Sequence, residues 1–274
     1  MASARCDRSH AVKRRLACLL LTALIVMVAR PAYAYRPFNS TDASVAARGE
    51  VEIECGPVGL VGATDQRFLV VPSLIVNLGV AEGWELVVEG RHFLLTQPGP
   101  GERRDTLRET ALSIKGILRS GSLQERPGPS VGLEVGLLLP GIGTDPGIGA
   151  SVLGIVSQRW SAMTLHVNGA LLVTHEHTLG GFVGAIVEGP FRWAIRPVAE
   201  VALDQDVGRS VSGLLGGIWH VRDNLSFDAG WRIARTDGAD VRELRAGFTW
   251  AFPPAQSLHV AHASNSRRVH STSE

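Results

Sequence analysis

The sequence predicts an all-β protein, a closed antiparallel transmembrane β-barrel of about 12 strands, with about 10 to 14 as the range. Three observations carry that expectation. Apolar and polar residues alternate with period 2 in successive extended segments. The N-terminus has the three-part layout of an export signal. Beyond it, no stretch reaches the roughly 18 uncharged apolar residues expected of a membrane-crossing helix.

Residues 1–34 read as a signal peptide. Arg5, Arg8, Lys13, Arg14 and Arg15 form a basic region, Leu16 to Ala29 is uncharged, and Ala32-Tyr33-Ala34 supplies the small-x-small cleavage pattern. That leader carries six of the 27 basic residues and one of the 26 acidic ones, leaving 21 basic against 25 acidic and a formal charge of −4. A net-negative chain with two lysines in all lacks the clustered basic charge of a nucleic-acid binder. Cys6 and Cys18 leave with the leader, so Cys55 has no intramolecular disulfide partner and no cysteine metal cluster can form.

Residues 35–49 form a short N-terminal segment, and the barrel is expected over 50–252. The weaker extended segments are 50–56, 66–78, 107–119, 148–159, 179–189 and 208–220. Pro72, unable to donate to a ladder, predicts a bulge or edge in the second of these. Six stronger segments lie between them. Trp84, Leu86 and Val88 oppose Glu85 and Glu89. Val131, Leu133, Val135, Leu137 and Leu139 oppose Gly132, Glu134 and Gly136. Met163, Leu165, Val167 and Leu171 oppose Thr164, His166, Asn168 and Ala170. From Phe191 to Leu203, Phe191, Trp193, Ile195, Val201 and Leu203 share one face, and Arg192, Arg196, Glu200 and Asp204 the other; only Gly189-Pro190 is left for the preceding turn. Leu225, Phe227, Trp231 and Ile233 oppose Asp228 and Arg232, and Leu244, Phe248, Trp250 and Phe252 oppose Glu243, Arg245 and Thr249. Successive strand side chains point to opposite faces, so each segment has one oily and one wet side. Turn chemistry separates them at Pro98-Gly99-Pro100-Gly101, Pro127-Gly128-Pro129, Asp223-Asn224 and Thr236-Asp237-Gly238.

A secreted β-sandwich would alternate too, with its apolar rows as the core. The export signal and the many Gly, Ala and Ser residues on the polar face favour a crowded lumen inside a closed barrel, which also leaves no open edge in lipid. The six tryptophans, mostly near segment ends or on the apolar face, suit an interfacial girdle.

Arg36-Pro37-Phe38-Asn39-Ser40-Thr41-Asp42-Ala43, followed by Gly49-Glu50-Val51-Glu52-Ile53-Glu54, resembles the opening of the outer-membrane barrels grouped with the meta-pathway phenol-degradation (MetA-like) protein. Glu85-Leu86-Val87-Val88-Glu89 is similar to their third-strand segment. Arg245 to Phe252 resembles the C-terminal signal of outer-membrane proteins, which ends in Phe and is read by the barrel-assembly machinery. The chain departs from that pattern in continuing from Pro253 to Glu274, a tail without periodicity that reads as disordered. The resemblance implies an outer-membrane location among its lipids after cleavage near Ala34, and a transporter or channel, often for hydrophobic compounds. It carries over no substrate.

The residues expected to line the lumen are Glu85, Glu89, Arg91, Glu109, Lys115, Glu134, His166, Arg192, Arg196, Glu200, Asp228, Arg232, Glu243 and Arg245. Both signs are present, so neighbours can pair across strands and narrow the interior. About 12 strands with mixed charge suit a narrow conduit for a small solute better than a general porin of about 16–18. A non-conducting structural barrel is the alternative. A lipid-modifying barrel enzyme, with His166 beside Asn168, is a weaker one, since no serine stands in a G-x-S-x-G elbow. His175-Glu176-His177 has metal-ligand spacing but falls at a segment end and reads as a solvated loop, while His259, His262 and His270 are explained by tail composition. No catalytic residue, metal or cofactor is expected.

Overall fold

A computed structural model describes residues 36–252 apart from 64, 65, 145 and 207. The expected signal peptide over 1–34 and the tail over 253–274 lie outside the described residues. Twelve strands close into one antiparallel barrel: β1 (Val51–Ala63), β2 (Gln66–Ala81), β3 (Trp84–Leu95), β4 (Asp105–Arg119), β5 (Ser130–Leu138), β6 (Gly149–Arg159), β7 (Thr164–Val173), β8 (Leu179–Glu188), β9 (Ile195–Gln205), β10 (Arg209–Arg222), β11 (Leu225–Thr236) and β12 (Ala239–Phe252). Each strand pairs with the next, and β1 closes the ring against β12 from Val51↔Phe252 to Ala63↔Val241. The chain enters β1 and leaves β12 at one end, the terminal end; the hairpin turns of β1–β2 and β11–β12 mark the far end.

The apolar rows face outward. On β12 they comprise Phe252, Trp250, Phe248, Ala246 and Leu244, with Arg242 following; on β11 Leu225 to Ile233, with Arg235 following. From Arg242 to Phe252 the strand rises about 3.3 Å per residue at a tilt of about 40°, a height of about 25 Å, which is the thickness of a barrel's hydrocarbon band. Trp193, Ile195, Val201, Leu203, Leu215, Trp219 and Trp231 are each more than half exposed, and no soluble core could leave them so. Trp84, Trp160, Trp193, Trp219 and Trp250 lie toward the terminal end, where Trp250 stacks on Phe252 at 4.7 Å. Trp231 sits at mid-height, opposite Leu244 and Leu215.

At mid-height the wall is irregular on one side, that of β1 to β4. The pairings slip between Cys55 and Val58, between Val70 and Ser73, and between Glu89 and Arg91, so the bulges of β1, β2 and β4 stack at one height. Pro72 lies within this line, as its missing N–H requires. On β4 the line ends at Glu109, held at φ 53°. Bulges re-aim side chains, and the one on β4 sets Glu109 3.0 Å from Arg91 of the inward row of β3.

Two expectations are corrected here. The β8–β9 connection is six residues, 189–194, rather than Gly189-Pro190 alone. The Pro190 carbonyl accepts from Trp193 N–H at 3.0 Å, closing a turn, while Gly189 N–H bonds to Pro197 O at 2.8 Å. Phe191 and Trp193 therefore lie off the strand. Arg192 is not a lumen residue either: it is exposed at the terminal end, its guanidinium 5.5 Å from the centre of the Phe191 ring. Alternation continued past a proline that had already turned the chain.

Candidate functional site: a filled lumen beneath a charged vestibule

Residues 36–50 run inside the barrel. They start between β2, β11 and β12, cross to β9, pass β7, β6 and β3, and rejoin the wall beside β2 before entering β1. No regular strand or helix forms, so every peptide group buried there needs a partner from the wall. The wall supplies them one by one. Glu200 on β9 accepts from the N–H of Asn39 (3.0 Å) and Ser40 (2.7 Å). Asn168 on β7 brackets Thr41, accepting from its N–H and donating to its carbonyl, both at 2.8 Å. Ser157 on β6 accepts from Ala43 N–H at 2.9 Å, and Glu85 on β3 from Ala46 N–H at 2.6 Å. Arg245 on β12 donates to the Pro37 carbonyl at 2.8 Å. At the exit, Gly49 and Glu50 exchange backbone bonds with Gly79 at 2.7 and 3.0 Å.

Charge holds the same segment. Arg36 donates to Ser73 Oγ at 2.6 Å and lies 3.5 Å from the Asp228 carboxylate. Lys115, fully buried, stands 3.3 Å from Glu85 and 4.0 Å from Asp42. The β4–β5 connection folds beneath: Gln124 donates to the Ala43 carbonyl at 2.7 Å, and Leu123 packs with Ala43 and Ile155 in a small apolar cluster. The terminal end of the lumen is thus filled by the chain's own residues.

The inward glycines make room for them. A Cβ at Gly184 would collide with Ser40, at Gly230 with Pro37, at Gly247 and Gly56 with Arg36, and at Gly79 with the Ala47 backbone. The small residues expected to relieve a crowded lumen relieve crowding by this segment.

Above it the lumen opens into a vestibule of about 620 Å³, floored by Arg36 to Thr41. Glu243 is its electrostatic centre. It pairs with Arg91, with Arg245 at 2.8 Å and with Arg232 at 3.5 Å, while Arg91 also reaches Glu109 at 3.0 Å. Glu54, Glu89 and Glu134 line the same vestibule from β1, β3 and β5, with Ser113 donating to Glu134 at 2.5 Å.

The sequence-predicted residues therefore divide. Glu89, Arg91, Glu109, Glu134, Arg232 and Glu243 border the vestibule. Glu85, His166, Arg196, Glu200 and Asp228 are buried around the internal segment, and Lys115 and Arg245 touch both. Arg192 belongs to neither group. Sequence reading missed Ser157, Glu188, Gln124, Ser73 and the course of residues 36–50. The period-2 carboxylates Glu50, Glu52 and Glu54 were the one available signal that β1 carries a strongly polar inner face.

Ser157, His166, Glu188 and Arg196 form a chain: Ser157 Oγ to His166 Nδ1 is 2.8 Å, His166 Nε2 to Glu188 3.5 Å, and Glu188 to Arg196 2.8 Å. The order matches a hydrolytic triad, but Ser157 is completely buried and its oxygen already accepts from Ala43 N–H. What this chain orients is the hydroxyl that holds Ala43. His175 and His177 occupy the β7–β8 loop, His177 at φ 60° and His175 Nε2 3.1 Å from the Leu139 carbonyl oxygen. The tail histidines His259, His262 and His270 lie outside the described residues.

No family model matches the chain, and no curated protein matches it. Among solved structures, the COG4313 outer membrane channel from Pseudomonas putida F1 is similar at 7% identity and a TM-score of 0.57, over 78% of this chain and 100% of that one. The KdgM porin is similar at 8% identity and a TM-score of 0.48, over 74% and 99%. At such identities the likeness is one of fold: the chain is an all-β, closed antiparallel barrel of the kind outer-membrane proteins adopt.

Proposed function

We propose that the protein is a narrow outer-membrane channel for small solutes, closed at its terminal end by residues 36–50. The supporting observation is a charged vestibule of about 620 Å³ whose floor is the chain's own segment rather than the wall. Solute would enter among Arg91, Arg232, Glu89 and Glu134 and pass when the floor shifts. Export by cleavage near Ala34, insertion by the barrel-assembly machinery and membership of the MetA-like family belong to the same reading. The Arg36-Pro37 to Asp42-Ala43 motif of that resemblance is the stretch that forms the floor, and hydrophobic cargo is the family's implication.

The run of wall hydrogen bonds to Asn39, Thr41, Ala43 and Ala46 favours a second reading, a structural barrel that never conducts. Planar-bilayer recording separates the two. The channel reading expects small, brief conductances in the unmodified protein and larger, longer ones in an Asn168→Ala/Glu200→Ala double variant. Silence from both proteins, each verified as folded by heat-modifiable gel mobility, would leave the structural barrel.

A further inference from the structure

The outer surface at the far end is chemically uneven. On β7 and β8 the rows stay apolar to their ends, through Leu171, Val173 and Leu179. On the opposite side Arg67 on β2 and Arg242 on β12 are both exposed, and both pair in register with Gly62 on β1. Two residues nearer the membrane centre, Leu69, Leu60 and Leu244 occupy the same three strands in register. An Arg-Gly-Arg row thus stands directly over a Leu-Leu-Leu row, at the height where the apolar band stops.

The glycine leaves a notch between the two guanidinium groups. A Cβ built at Gly62 would meet only the Arg242 carbonyl oxygen, at 4.0 Å. Neighbouring strands are about 4.8 Å apart, so the arginine backbones stand about 10 Å apart, a span that one phosphate headgroup between two long side chains can bridge. Asp240, an acidic residue beside Arg242 on this face, faces Arg235 across the β11–β12 pairing. Among the described residues neither Arg67 nor Arg242 meets a carboxylate within ion-pair distance.

We propose that Arg67 and Arg242, across the Gly62 notch, bind the anionic phosphate headgroup of a membrane lipid whose acyl chains lie on Leu69, Leu60 and Leu244. Guanidinium groups match phosphate in charge and geometry, and the leucines supply the apolar surface that a free anion would not use. The inference rests on the barrel standing in a membrane, and not on conduction.

The test uses the full chain refolded in neutral detergent, with lipid binding read by native mass spectrometry. The probes are phosphatidylglycerol, bis-phosphorylated lipid A, phosphatidylcholine and inorganic phosphate. Both anionic lipids should bind about thirtyfold more tightly than phosphatidylcholine, near what two interfacial arginines contribute. Arg67→Gln/Arg242→Gln should abolish that preference. So should Gly62→Leu, which keeps both charges and fills the notch, while Arg119→Gln at the terminal end should leave it intact. A preference that survives both the double variant and Gly62→Leu overturns the proposal, as does inorganic phosphate competing at concentrations equal to the lipids. Flotation with phosphatidylcholine vesicles reads membrane insertion separately: failure there removes the membrane reading, whereas flotation without lipid preference removes this site alone.

Discussion

The two halves of the lumen use the same kinds of residue to opposite ends. In the terminal half, carboxylates, amides and hydroxyls are spent on the backbone of residues 36–50, and side chains such as Glu200 and Ser157 are sealed from water. In the far half, Arg91 pairs with a carboxylate that is 3% exposed on one side, Glu243, and with one that is 56% exposed on the other, Glu109. Inward polarity alone therefore does not make a pore. What matters is what each polar group faces: in the terminal half it is the chain's own segment, in the far half an open vestibule.

Substitutions graded by that difference should fall in order. Lys115→Met strands Glu85 and Asp42 in a buried site and should cost about 3–5 kcal/mol, read as a lower urea midpoint at unchanged slope. Glu200→Ala leaves the Asn39 and Ser40 N–H groups without acceptors; at about 1–3 kcal/mol per buried group, the internal segment should loosen and become open to protease while the barrel keeps its heat-modifiable mobility. Gly184→Val drives a side chain into Ser40 and should release the same segment, whereas Gly169→Val, whose Cβ meets nothing within 4 Å, should stay within about 0.5 kcal/mol of the parent. Glu109→Gln, at the watery end of the gradient, should cost less than about 1 kcal/mol and alter only the charge selectivity of any current. Equal losses from Glu200→Ala and Glu109→Gln would erase the distinction between the halves.

The fold was legible where the wall is regular. Strands β9, β11 and β12 alternate cleanly because their pairings run almost without slips, so one sequence period maps onto one face. Strands β1, β2 and β4 read weakly for the opposite reason: the stacked bulges at 56–57, 71–72 and 109–110 reverse the parity of each row midway, and Pro72 was the only residue to announce it, whereas β3, which carries no extra residue, reads clearly. Inward charges were found by parity, which could not say whether water or a chain segment lies opposite. Residues 36–50 have no period, because their partners are wall side chains scattered over eight strands rather than neighbours in sequence. Arg192 was misplaced since alternation is blind to a turn that Pro190 makes by accepting at its carbonyl.

Closure of the lumen by residues 36–50 is most directly tested by tethering. Ala43→Cys/Gly132→Cys, in a Cys55→Ser background, places two Cβ atoms 3.5 Å apart, without a clash, where the segment passes β5. In the folded, membrane-reconstituted protein the two thiols should form a disulfide under mild oxidant, and the tethered barrel should pass no more current than the parent with the larger openings of Asn168→Ala/Glu200→Ala suppressed. Thiols that stay apart and label freely with a soluble maleimide would contradict the account, as would a tethered barrel that still opens widely.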